Sequence, residues 1–161
     1  MLSVLTAFHV FVSLIGILTG FVVMAGFIRS RTQAAWTKWF LGTTFLTSAT
    51  GFLFPIQGFT PGIGVGILSL FVLALALFAW SRRDTDRPLP RTFAVTSIIA
   101  LYFNVFVLVV QLFEKVPALT ALAPTQSEPP FAIVQLAVLL AFIALGVFSV
   151  KGYRKAAALA A

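Results

Sequence analysis

Long uninterrupted runs of apolar residues dominate the pattern of this chain. Segments 1–28, 39–81, 92–113 and 129–150 contain no charged residue. Within each run the apolar positions are continuous rather than alternating with polar ones, which favours helices over the strands of a membrane β-barrel. A helix crosses a hydrocarbon core about 30 Å thick with about 20 residues, because each residue rises about 1.5 Å. The pattern therefore predicts membrane-spanning helices.

The run 39–81 is about twice as long as one span requires. It is interrupted at 55–62 by two prolines and two glycines, which predict a tight turn between two helices. The sequence thus predicts an all-α, polytopic membrane protein with a single domain over 1–161. Its five transmembrane helices are expected at about 3–28, 37–56, 62–80, 92–113 and 130–150.

Composition supports the same class of protein. Apolar residues make up 60% of the chain and charged residues only 9%, whereas soluble domains carry about 25% charge. A water-exposed surface with so few charges would be one large apolar patch that promotes aggregation. The absence of cysteine also excludes a disulfide framework.

The basic residues predict the orientation in the membrane. Of 11 Lys and Arg, all but Lys115 fall in the loop after the first predicted helix, the loop after the third, or the C-terminal segment. Lys and Arg accumulate on the cytoplasmic side, so we expect the N-terminus outside and the C-terminus inside. Residues 1–28 are expected to be an anchor with this orientation rather than a signal peptide. The net charge of +7 is explained by insertion and does not indicate nucleic-acid binding.

Small residues and the loops suggest further roles. The pairs Gly16-x-x-x-Gly20 and Gly62-x-x-x-Gly66 predict close helix packing, either within one chain or between copies. The loop 114–130 is proline-rich and partly apolar, so it is expected to be a lid, a short interfacial helix or a plain connector. Four arginines in the loop between the third and fourth predicted helices are candidates for binding anionic lipid headgroups: Arg82, Arg83, Arg87 and Arg91.

Apart from Lys38 at the start of the second one, the predicted spans contain no Asp, Glu, Lys or Arg, and His9 is their only side chain that titrates near neutrality. Proton relays and most ion-coupled transporters need ionisable groups in the membrane. The chain also lacks paired carboxylates in the spans, a cysteine nucleophile and metal-ligand spacing. We therefore predict no catalytic residue, no metal and no cofactor, and a non-enzymatic protein.

A set of polar residues remains, at mid-depth of the bilayer or towards its predicted outer side. It comprises His9, Gln57, Asn104, Gln111, Glu114, Glu128 and Gln135. Buried amides need hydrogen bonds, so these groups either line a pocket open to the periplasm or bond to one another between helices. Both interpretations are open from the sequence.

The stretch 100–107 (ALYFNVFV) and the loop 116–131, ending APTQSEPPF, resemble a family of small hypothetical inner-membrane proteins of Gram-negative bacteria. The similarity extends to 47–52 (TSATGF) and the turn at Phe59-Thr60-Pro61. This resemblance implies location in a bacterial inner membrane and transfers no catalytic residue.

The sequence thus favours a protein that binds a small apolar or amphipathic molecule, such as a lipid, quinone or isoprenoid, at a pocket facing the periplasm. Whether the protein also passes this molecule across the membrane is open from the sequence. Aromatic pocket walls would suit such a ligand, and the chain has 18 Phe. The alternatives are an accessory or scaffold subunit of a larger membrane complex, and, third, an oligomeric channel.

Overall fold

Six helices make up the regular structure of the computed structural model, which describes residues 2–54, 61–86 and 88–159. They are α1 (Leu2–Ile28), α2 (Ala34–Gly51), α3 (Pro61–Ser81), α4 (Pro90–Lys115), α5 (Pro117–Leu122) and α6 (Pro129–Leu159). No strand occurs within the described ranges. The predicted all-α class is confirmed.

Four helices are long and apolar enough to cross a membrane, with mean hydropathies between 2.4 and 2.7: α1, α3, α4 and α6. They support the prediction of a multi-pass membrane bundle. The helix α2, the remaining predicted span, is different in composition. Its 18 residues reach about 27 Å. Its buried face, however, combines Thr and Ser side chains with the apolar Phe40 and Leu41. Five spans therefore stay a prediction.

The helices α1 and α4 lie at the centre of the bundle. The α1 helix packs against α2, α4 and α6, whereas α4 packs against α1, α3, α5 and α6. The α2 helix also contacts α3, so the remaining long helices surround this central pair. The largest fully buried side chains include Phe27, Phe40 and Phe93.

The two ends of the bundle differ in charge. We call the end at which α1, α3 and α6 finish the basic end, because all but one of the Lys and Arg belong to its loops and helix termini. An aromatic cluster closes this end: the ring of Phe93 lies 5.8 Å from that of Phe27, 5.3 Å from Tyr153 and 5.0 Å from Trp80. The opposite end carries α5 and is called the α5 end.

Glycines mark the closest helix contacts. A Cβ built on Gly20 would lie 2.5 Å from Leu101 Cδ1 and 2.9 Å from Phe40, and one built on Gly66 would lie 3.1 Å from Phe52. At Gly152 the obstacle is rigid, because a Cβ there would overlap the backbone carbonyl oxygen of Phe27. Contacts within one chain thus account for Gly20 and Gly66, while Gly62 is exposed.

Several helix limits differ from the predicted ones for local reasons. The α2 helix ends at Gly51 rather than near 56, and the amides of Phe52 and Leu53 then form turn hydrogen bonds to Ala49 and Thr50. The α6 helix continues to Leu159 instead of ending at 150, because its added segment is rich in Lys, Arg and Ala, which favour helix. Within the predicted outer loop, Pro117 begins the short helix α5. Gln57 and Arg87 lie outside the described residues.

The contact at Gly152 yields a test of the packing. We expect Gly152→Ala to lower the free energy of unfolding by about 1–3 kcal/mol, because the added methyl group forces α6 away from the α1 backbone. Gly42→Ala is the matched control, since a Cβ at Gly42 would meet no atom within 4 Å. Equal loss of stability in the two variants, measured by denaturant titration in detergent micelles, would contradict this packing.

Candidate ligand-binding site

His9 is hydrogen-bonded between α1 and α2 at the α5 end. Its Nδ1 atom lies 2.8 Å from the hydroxyl oxygen of Thr50. The Thr50 hydroxyl donates to the Leu46 carbonyl at 2.7 Å, so its oxygen acts as acceptor towards the ring. In the tautomer that carries its proton on Nδ1, this atom donates to the Thr50 oxygen. The ring of Phe54 packs edge-on at 5.3 Å.

Asn104 occupies a second, deeper contact among α1, α2 and α4. Its Nδ2 group donates to the Thr44 hydroxyl oxygen at 3.1 Å, and both residues are buried. Gly16 faces this pair: a Cβ built on it would lie 3.7 Å from Asn104 Nδ2 and 3.2 Å from the hydroxyl of Thr43. Gly16 thus permits three helices to meet around one interhelical hydrogen bond.

Gln135 and Gln111 form separate contacts. Gln135 on α6 donates through Nε2 to the Phe106 carbonyl of α4 at 3.2 Å, and its buried Oε1 atom has no hydrogen-bond partner. Gln111 is exposed on α4 and donates to the Glu114 carboxylate one turn later at 3.3 Å. The predicted polar set is therefore divided among individual contacts within the described part of the chain.

Glu128 organises the loop before α6. Its carboxylate accepts hydrogen bonds from the Thr125 hydroxyl at 2.9 Å and from the backbone amides of Thr125 and Ser127 at 3.1–3.3 Å. Loss of water around the carboxyl raises its pKa, but these hydrogen bonds outweigh that effect, so the pKa of Glu128 lies below its ordinary value. This role is local to the loop.

Several buried hydroxyls donate hydrogen bonds to carbonyls of their own helices. Thr19, Thr43 and Thr96 donate to the carbonyl four residues earlier, at 2.7–2.8 Å. Such back-bonding lets a hydroxyl face a helix neighbour without requiring a partner there. The contact surface among α1, α2 and α4, which is rich in hydroxyl groups, is thus compatible with a helix interface that contains no water.

A groove runs between α4 and α6 on the basic half of the bundle. Its volume is about 490 Å³. From α4 it is lined by Arg91, Val95, Ile98, Ile99 and Tyr102, and from α6 by Leu139, Phe142, Ile143, Gly146, Val147, Val150, Lys151 and Arg154. These residues recur at three- and four-residue spacing, so each helix contributes a single face.

Two contacts establish the antiparallel register of the groove. The rings of Tyr102 and Phe142 are 5.7 Å apart, and a Cβ on Gly146 would lie 3.3 Å from Ile98. The interval from Arg91 to Tyr102 corresponds to about 16 Å along α4. The groove thus has a cationic end and an aromatic end, with only apolar side chains between them.

The groove opens to the outside of the bundle. Ile98 and Phe142 are each only 7% exposed, whereas Ile143 and Val147 are 55% and 48% exposed. The former pair forms the floor and the latter pair belongs to the rim. A membrane-embedded chain can therefore enter from the side.

The cations at the groove differ from those of the α3–α4 loop. Arg82 and Arg83 stack on Phe78 and Trp80, at 5.1 and 4.4 Å from the ring centroids, and Arg83 also pairs with Asp84 at 3.1 Å. In the described part of the chain no carboxylate lies within ion-pair distance of the three groove cations, Arg91, Lys151 and Arg154. Of the three predicted headgroup arginines that the structure describes, Arg91 lines the groove, whereas Arg82 and Arg83 do not.

A second depression of about 470 Å³ lies on the outer face of α2. Its lining comes from one helix, between Lys38 and Leu46, and includes the exposed Gly42 and Trp39. Without a second wall it offers less enclosure than the groove between α4 and α6.

No protein-family model, curated protein or solved structure matches this chain. Sequence reasoning missed the groove, although a signal for it exists. Arg91 lies in the first turn of α4, and Lys151 and Arg154 follow the apolar part of α6, so on each helix the cations flank a face of Val and Ile.

The interhelical bond of Asn104 can be measured with a double-mutant cycle. We expect Asn104→Ala and Thr44→Ala to couple by about 0.6 kcal/mol, and at most about 1.7, as hydrogen bonds between membrane helices do. The control cycle combines Asn104→Ala with Thr96→Ala, because the Thr96 hydroxyl bonds to its own helix. Those two changes should add independently. Additive effects in the Asn104–Thr44 cycle as well would show that this bond does not stabilise the bundle.

Proposed function

We propose that this protein binds a small amphipathic molecule of the membrane, with its apolar chain lying in the groove between α4 and α6. The lipid, quinone and isoprenoid classes all offer such a chain. The observation that carries the proposal is the polarity of the groove: a continuous apolar passage with cations at one end and the Tyr102–Phe142 pair at the other.

Transfer from water contributes little to the binding of a membrane molecule in the groove. Burial of a methylene from water is worth about 0.8 kcal/mol, but surrounding lipid already supplies most of that gain to a membrane molecule. Selection must therefore come from packing and from the polar end. Gly146 contributes to packing because its missing side chain leaves room beside Ile98.

The sidedness of the proposal follows from the basic residues. Lys and Arg favour the cytoplasmic side of a membrane. We therefore assign the basic end of the bundle, and with it the cationic end of the groove, to the cytoplasmic leaflet of a bacterial inner membrane. The pocket expected from the sequence was at the opposite side. His9, Asn104 and Gln135 each have a hydrogen-bond partner within the chain, which favours the groove over that location.

Filling the groove tests this function. We expect Ile143→Trp and Val147→Trp to reduce photolabelling of the protein by a diazirine-bearing long-chain alcohol about tenfold, equivalent to 1.4 kcal/mol, because an indole occupies the space of the chain. Labelled peptides identified by mass spectrometry should include Val95 or Ile99 in the unmodified protein.

Ala144→Trp is the matched control for these variants. Ala144 is exposed on α6 next to Ile143 but does not line the groove, so labelling of the groove should persist. Equal labelling in all three tryptophan variants would contradict binding at this place.

A further inference from the structure

We infer that the molecule in the groove carries a phosphate group, held at the basic end by Arg91, Lys151 and Arg154. This inference rests on the proposed function and adds the chemical class of the ligand's polar end. The ligand is then a phosphate-bearing membrane amphiphile of the cytoplasmic leaflet.

The register places the three cations at similar depth. Starting from the Ile98–Gly146 contact, Arg91 lies seven residues towards the basic end on α4, while Lys151 and Arg154 lie five and eight residues in the same direction on α6. With a rise of about 1.5 Å per residue, their backbones fall within about 5 Å of one another along the bundle axis. The long side chains of these three residues can therefore converge on one ligand group at the cationic end of the groove.

These cations are available to a ligand. All three are exposed, and none is in an ion pair within the described ranges. Arg82 and Arg83, by contrast, are engaged by aromatic rings and Asp84. The positive-inside tendency explains why cations occur at this end, but it does not require three of them to border one apolar groove.

Phosphate fits this group better than a carboxylate does. The planar guanidinium of Arg donates paired hydrogen bonds to phosphate oxygens, and the Lys ammonium adds a point charge. A phosphate offers enough acceptor oxygens to engage both arginines and the lysine together. The first turn of α4 adds a favourable dipole, since it has no acidic residue and no side-chain cap at Leu89.

The continuity of the site selects a lipid phosphate over a free ion. The cations border the apolar passage directly, so a phosphate bound there carries its chain into the groove without crossing a polar barrier. An inorganic phosphate would use the charges alone and gain nothing from the 490 Å³ groove.

Two photolabels of equal chain length test the inference: a diazirine-bearing alkyl phosphate and the corresponding alkyl alcohol. Both are titrated against the full protein in vesicles of zwitterionic phosphatidylcholine, with labelling at the groove as the readout. We expect the phosphate probe to reach half-saturation at a concentration at least tenfold lower, since three interfacial cations attract the phosphate and a tenfold change equals 1.4 kcal/mol. An excess of inorganic phosphate should not displace it.

Two double variants remove the same number of charges from different places. Arg91→Gln with Arg154→Gln should abolish the advantage of the phosphate probe, whereas Arg82→Gln with Arg83→Gln should preserve it. Lys151→Gln, a milder single change, should reduce the advantage, and it maintains the test if the Arg91 double variant does not fold.

Each other outcome has a distinct meaning. Equal half-saturation of the two probes at the groove would overturn the phosphate inference while supporting the proposed function. Absence of groove labelling by either probe would overturn the proposed function itself. Equal loss in both double variants, or displacement by inorganic phosphate, would overturn the inference in favour of general surface charge or a free anion.

Discussion

The hydrocarbon interior of a membrane offers no hydrogen-bond partner, and this constraint governs the whole bundle. Backbone groups form their hydrogen bonds inside the helices. The buried hydroxyls of Thr19, Thr43 and Thr96 likewise donate hydrogen bonds to carbonyls of their own helices. Among the described residues, a few side chains connect one helix to another, such as Asn104 with Thr44. Most of the cohesion between helices must then come from close packing, for which Gly20 and Gly152 provide the shortest approaches.

Close packing by glycine also explains where the groove lies. At Gly146 the α6 helix approaches Ile98 of α4, and beside this contact the exposed Ile143 and Val147 stand on the rim. A helix pair that touches along its floor leaves a lateral cleft towards the lipid. At the basic end, three of the cations from which the orientation is predicted also border that cleft.

The sequence predicted most of the helices because charge and length determine them. Uncharged runs located α1, α3 and α4 to within a few residues, and the proline-rich loop contained the short helix α5. The end of α2 was wrong by several residues, since turn hydrogen bonds at Phe52 and Leu53 depend on local geometry. The predicted end of α6 came too early because Lys151 ends the uncharged run from which the span was predicted. Lys and Arg also favour helix, so the helix continues through them.

The candidate site was harder to predict for a different reason. Counting residues gives the depth of His9, Asn104 and Gln135, but not the rotation of each helix or the neighbour it faces. His9 faces Thr50 and Asn104 faces Thr44, so similar depth did not mean a shared cavity. The groove depends on the register of α4 against α6, which the Tyr102–Phe142 contact defines only in the folded bundle.

A structure determined in patches of native bilayer, extracted without detergent, would show directly what occupies the groove between α4 and α6. We expect elongated density lying along Val95, Ile99, Ile143 and Val147, with its compact end among the side chains of Arg91, Lys151 and Arg154. Side chains of α4 and α6 closing over this space, or lipid density ordered elsewhere while the groove stays featureless, would contradict this expectation.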